Sequence, residues 1–159
     1  MHASVQPFVA WAAAVPVAPS DGSCRPNRAL GRRGIRRVCR VIVIGDRRRN
    51  QPAPPHVVFE ALTQPHRDLS RPWLILSDDE QEPAVLATDE PFSVVWSSLW
   101  PHRPSAQIRF ELPKDAGSGT DLRWILQIEP PAPDDSAVGH MRKRLNQLIN
   151  ANLRFTFGQ

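Results

Sequence analysis

Asp121-Leu-Arg-Trp-Ile-Leu-Gln-Ile-Glu-Pro-Pro-Ala-Pro-Asp-Asp-Ser-Ala-Val-Gly-His-Met-Arg-Lys-Arg-Leu-Asn-Gln-Leu-Ile-Asn150 is the stretch that decides the fold. In its first part Leu122, Trp124, Leu126 and Ile128 share one face, with Asp121, Arg123, Gln127 and Glu129 on the other, the alternation of a half-buried strand. Pro130-Pro-Ala-Pro133 breaks that strand, because proline has no N–H to give to a ladder. Asp134, Asp135 and Ser136 then offer an N-cap and negative charge for the positive end of a helix dipole. From there Val138, Met141, Leu145, Leu148 and Asn152 recur at helical spacing, with Ile149 and Leu153 widening the stripe. The sequence therefore predicts a long helix with one continuous apolar face. Arg142, Lys143, Arg144, Asn146 and Gln147 fall on its predicted solvent side.

Toward the N-terminus the same alternation repeats. Ala106, Ile108, Phe110 and Leu112 alternate with Gln107, Arg109 and Glu111, and Pro113 to Gly119 supplies the loop that joins this strand to the last one. Ala84 to Thr88 and Phe92 to Ser98, separated by Asp89-Glu-Pro91, read as a further hairpin. Val41-Ile-Val-Ile44 is a β-branched run that opens a first strand reaching Gln51. Pro52, Pro54 and Pro55 then set up a helix start, and Val57, Val58, Ala61 and Leu62 give that short helix one apolar face. Pro65 ends it, and a second short turn or helix is expected over His66 to Leu69, before Pro72-Trp73. A long terminal helix needs a broad concave surface to cover its stripe, and the strands supply one. The predicted class is α+β: a curved antiparallel sheet wrapped around a long C-terminal helix, with two short helices after the first strand.

Charge divides the chain. It has 159 residues, a formal net charge of +4 and a pI near 10.0. Ten arginines lie between Arg25 and Arg49, whereas the first fifty residues hold only two acids, Asp21 and Asp46. The remainder carries ten basic and fourteen acidic residues and is mildly acidic. Residues 1–37, rich in Ala, Pro, Arg and Gly, show no sustained period and read as a disordered arm, with the domain proper at 38–159. Arginine clusters suit phosphate, but no aromatic for base stacking occurs between Trp11 and Phe59, so nucleic acid is disfavoured as a partner. Translation of a GC-rich stretch upstream of the true start of a bacterial gene would give the same composition, with Val38 or Val41 as the initiator. Peptides from residues 1–37 in cells would refute that start-site expectation.

Cys24 and Cys39 both sit in the basic end, without zinc spacing or a disulfide framework, and point to a reducing cytoplasm. The apolar stretch Phe8 to Val17 has no Lys or Arg before it and is interrupted by Pro16, opposite to an export signal, and it is too short to span a bilayer.

Several of these segments carry a family resemblance. Ala53-Pro-Pro-His-Val-Val-Phe-Glu-Ala-Leu-Thr63 after a first strand, Trp73 beyond it, Val94-Val-Trp96 in a middle strand, Gly119-Thr-Asp-Leu-Arg-Trp124 entering the last strand and the terminal helix together resemble the START-like (SRPBCC) superfamily. This is also described as the Bet v 1-like or polyketide cyclase/dehydrase and lipid transport group. The resemblance implies a helix-grip fold holding a hydrophobic ligand between helix and sheet. The body is short for the family, so a trimmed sheet and a shallow cavity are expected. A relation to the Hsp90-ATPase-activator branch stays open.

A fold of this kind hosts many activities, so function must come from the site. No Gly-rich phosphate loop, HExxH, GxSxG or EF-hand spacing occurs, and no catalytic residue, metal site or cofactor is assigned. His56, His66 and His102 read as surface residues, and His140 as a helix-edge residue. The candidate cavity lining is Trp96, Ile108, Phe110, Leu122, Trp124, Met141, Leu145, Leu148 and Asn152. The aliphatic members serve equally as packed core. Trp96, Trp124 and Asn152 carry the polar atoms with which an apolar pocket orients a ligand. The expected function is binding of an apolar small molecule or lipid in the cytoplasm. The alternatives are a cyclase/dehydratase-like enzyme and a chaperone-activator-like interaction module, and a homodimer is compatible with each.

Overall fold

The computed structural model describes residues 41–113 and 119–157, so the expectations for residues 1–37 lie outside the described residues. Strand β1 (Ile42–Gln51) leads into helix α1 (Pro55–Thr63), then β2 (Val85–Asp89), β3 (Ser93–Trp96), β4 (Gln107–Glu111) and β5 (Thr120–Ile128). Helix α2 (Asp135–Gln147) continues through a π-helical stretch, Leu148–Leu153, into a last turn α3 (Arg154–Phe157). The five strands lie in the order β1-β5-β4-β3-β2, antiparallel at every junction. β1 and β2 therefore occupy opposite edges, and residues 64–84 carry the chain from one to the other.

Register explains which face is buried. Trp96 pairs with Ile108, Ile108 with Leu126, and Phe110 with Trp124, so these side chains stand together on the concave face. α2 adds Met141 and Leu145 to the same core, and the π-helical stretch adds Leu148, Ile149 and Leu153. Trp96 is the centre of an aromatic group, stacked on Trp73 at 5.9 Å and meeting Phe110 edge-on at 4.7 Å, geometries worth about 0.5–1.5 kcal/mol per pair beyond their burial. Its indole N–H donates to the Leu62 carbonyl at 2.8 Å, which ties α1 to the sheet.

The second short helix after β1 is absent; Gln64 to Arg71 forms consecutive turns instead. Arg67 N–H donates to the Gln64 carbonyl and Arg71 N–H to the Asp68 carbonyl, both at 3.1 Å. The Asp68 carboxylate takes both the backbone N–H and the hydroxyl of Ser70, a side-chain turn that competes with helix. Pro65 and Pro72 bound the segment and leave too little chain for a helix to propagate. The N-cap expected before α2 is present: Asp134 accepts from Ala137 N–H at 2.9 Å.

β1 carries an irregularity between Val43 and Gly45 that leaves Ile44 without a partner on β5. The absence of a side chain at Gly45 leaves room for the Trp124 ring and Arg142, since an added Cβ would stand 2.9 Å from Trp124 Cζ3 and 3.1 Å from Arg142 Cγ. Gly45→Ala is expected to destabilise the fold by about 1–3 kcal/mol through overpacking against a ring that cannot yield locally. A urea midpoint equal to that of the unsubstituted protein would refute this.

Candidate functional site

Eight of the nine sequence-predicted lining residues are brought together. Trp96, Ile108, Phe110, Leu122, Trp124, Met141, Leu145 and Leu148 are each no more than 3% exposed and pack against one another as core. Asn152 is set apart from them, half-buried on the wall of an open groove. Its displacement follows from the helix. The wider π-helical turn adds a residue to the repeat, so Leu153 takes the core position that a straight α-helix would give to Asn152. Phe157 then packs against the core, while Phe155 stays 75% exposed.

The groove has a volume of about 1070 Å³. One wall is the helical end, with Asn150, Ala151, Asn152, Arg154, Phe155 and Thr156. The other is the turn segment after α1, with Ser70, Arg71, Pro72 and Ile75, and Pro52 also lines it. Gln51 fixes the first wall to the sheet, since its buried Nε2 donates to the Ile149 carbonyl at 3.2 Å. Arg144 fixes the second: from α2 it donates to the Ile75 carbonyl at 3.1 Å and grips the Glu80 carboxylate with two nitrogens, at 2.7 and 2.6 Å. Arg144 is thus not the solvent-side residue the helix pattern implies. Burial pushes the Glu80 carboxyl up, but Arg144 and the Ser77 N–H outweigh this and hold it below the usual carboxylate range.

A smaller pocket of about 300 Å³ adjoins the groove at Arg71, which lines both, and is bounded by Val57, Ala61, Pro65, Trp73 and Phe157 among others. The Trp73 indole N–H is buried with no hydrogen-bond partner among the described residues, as is that of Trp124. Of the two tryptophans expected to offer an N–H, Trp96 has its donor committed to Leu62 and Trp124 leaves its own unmet.

Among the described residues that line the groove the charged side chains are Arg71 and Arg154, with no carboxylate and no histidine. A guanidinium stays protonated, so this lining offers positive charge and hydrogen-bond donors but no general base. His56, His66, His102 and His140 are exposed and line neither pocket. Among the described residues no three His, Cys, Asp or Glu side chains converge as metal ligands, and no helix is long and apolar enough to cross a membrane.

Sequence reasoning missed Arg71, Ile75, Arg154 and Phe155. The sequence does carry a signal for the last two. Arg154-Phe-Thr-Phe157 continues the helix beyond Asn150, with apolar residues that one face alone cannot bury.

Solved structures share this fold. Ara h 8.0201 superposes with a TM-score of 0.54 at 14% identity, over 75% of this chain and 99% of that one. The chain has the helix-grip fold. Two further helix-grip structures agree: the Aha1 dimer from Colwellia psychrerythraea, with a TM-score of 0.52 and 15% identity over 70% and 93% of the chains, and CalU16 from Micromonospora echinospora, with 0.51 and 17% over 66% and 70%. No family model matches the sequence, and no curated protein does. Helix-grip architecture accounts for the sheet, the covering helix and the helix after β1.

Proposed function

We propose that this protein binds an apolar small molecule or a lipid chain, with the groove beside Asn152 as the place where the ligand lies. The groove itself carries this reading: a concavity large enough for a drug-sized ligand, with Ile75 and Phe155 unburied on facing walls and Asn152 on the same wall as Phe155. Burying about 250 Å² of a ligand's apolar surface at about 25 cal/mol per Å² contributes about 6 kcal/mol before association costs, so a few hydrogen bonds suffice for micromolar affinity. Asn152 is the contact residue. Trp96, Ile108, Phe110, Leu122, Trp124, Met141, Leu145 and Leu148 form the packed wall behind it, reached by a ligand only where the C-terminal segment moves off the sheet. The functional unit is residues 38–159, and the two cysteines favour a reducing cytoplasm.

Native mass spectrometry of the purified protein tests this directly, with extraction of whatever travels with it. A small apolar adduct is expected, and Ala151→Trp, which intrudes into the groove from an exposed position, is expected to weaken its retention with little change in melting temperature. Protein that carries no adduct and whose melting temperature no apolar ligand raises would sink the proposal.

A second reading, an interaction module of the chaperone-activator kind, is favoured by the packing of Trp73, Trp96 and Phe110, which fills the interior. It predicts a ligand-free protein that raises the ATP turnover of a chaperone. An unchanged turnover counts against it.

A further inference from the structure

We infer that the ligand of the groove is an anionic amphiphile, its charged head held between Arg71 and Arg154 and its chain laid along Ile75 and Phe155. This rests on the groove being the ligand site. Each wall contributes one arginine close in sequence to one exposed apolar side chain: Arg71 with Ile75 after α1, and Arg154 with Phe155 in α3. Among the described residues no acid lines the groove, so none of them neutralises either guanidinium from within it. Arg154 has no ion-pair partner among the described residues, and Arg71 has only a loose contact, 3.8 Å from Asp68. That aspartate already accepts two hydrogen bonds from Ser70.

Charge complementarity selects the head group. A guanidinium on Arg154 unpaired among the described residues and a loosely paired one on Arg71 suit a planar carboxylate or a phosphate, which each fork can bind through two parallel hydrogen bonds. Asn152 and Thr156 add neutral hydrogen-bonding groups on the same wall. The volume accommodates a single-chain amphiphile, and Ile75 and Phe155, at 58% and 75% exposed, have apolar surface that a chain would cover. A neutral ligand would leave both charges unused, and a cationic one would meet repulsion.

Titration calorimetry with laurate, dodecyl phosphate, dodecanol and dodecylamine, each below its micelle concentration, tests the inference. The two anions are expected to bind about ten-fold more tightly than dodecanol, with dodecylamine weakest and the margin shrinking as salt rises. The tighter of the two anions identifies the head group. In Arg71→Gln with Arg154→Gln, both exposed positions, the margin is expected to vanish while dodecanol affinity is retained. Equal binding of laurate and dodecanol by the unsubstituted protein overturns the head-group assignment and leaves the groove as an apolar site. So does an anion preference that survives the double substitution. If none of the four binds, the groove itself is not a ligand site.

Discussion

Gly119→Ala is expected to lower the stability of this fold by about 3 kcal/mol or more, seen as a drop in melting temperature of about 10 °C. Gly119 enters β5 with φ at +94°, a backbone conformation that side-chain-bearing residues reach only with strain. Space is lacking as well. A Cβ there would stand 2.3 Å from the Gln51 carbonyl oxygen and 3.4 Å from Asn50 Oδ1. The obstructing atom is backbone at the end of β1, and its neighbours are held in turn. Thr120 Oγ1 donates to the Ala53 carbonyl at 2.7 Å, and Gln51 Nε2 donates to Ile149. Relief therefore requires moving β1, the start of β5 and the π-helical stretch together, which is why the effect is larger than that at Gly45. Gly139 provides the control. It lies inside α2 with nothing within 4 Å of an added Cβ, so Gly139→Ala is expected to stabilise by about 0.5–1 kcal/mol through helix propensity alone. The two alanine substitutions thus have opposite signs, and chemical denaturation of both separates them; a Gly119→Ala midpoint at or above that of the parent protein contradicts the steric account.

Elements with strong period were legible in the sequence, and the groove was not. The alternation of Ile108, Phe110, Leu122 and Trp124 fixes both the hairpin and its buried face, because a slip of one residue would put every apolar side chain into water. The helix start at Asp134 and the proline-led start of α1 are local chemistry, readable without knowing the fold. The π-helical turn is different. Nothing in Leu148-Ile-Asn-Ala-Asn-Leu153 announces an added residue in the repeat; tertiary packing of Leu153 and the Gln51 bond to Ile149 select it. Once that turn is in place, Asn152 leaves the core stripe and Arg154 and Phe155 become wall residues. The groove's other wall is a set of turns, where no period exists to be read. Residues such as Arg71 and Ile75 become site residues only through the contacts that hold their segment, and those contacts are long-range.

Removing the Glu80 charge is expected to cost about 3 kcal/mol, comparable to the strain at Gly119, since the pair it forms with Arg144 is largely out of water. The Glu80 side chain is fully buried and that of Arg144 is 12% exposed. Such a pair adds little net stability relative to a well-packed apolar pair, yet breaking it strands a charge. Glu80→Gln leaves the guanidinium without its carboxylate, whereas Glu80→Leu combined with Arg144→Met is expected to recover most of the loss. The pH dependence has a defined sign. The Glu80 carboxyl lies below its ordinary value of 4.5 in the folded state, so its contribution is fully present above that pH and is lost as pH falls through the folded value. The stability gap between the parent protein and Glu80→Gln should therefore be largest near neutrality and close as the solution is acidified below about 4.5. A consequence follows for ligand binding, because Arg144 also holds the Ile75 carbonyl. Loss of Glu80 frees Arg144 to reorient, the turn segment loses its anchor, and the groove loses the fixed position of one wall. Ligand affinity is expected to fall together with stability in Glu80→Gln and to return only in part in the apolar double variant, which restores packing but not the bond to Ile75. Full recovery of affinity in that double variant would show that the Arg144 bond to Ile75 plays no part in shaping the groove.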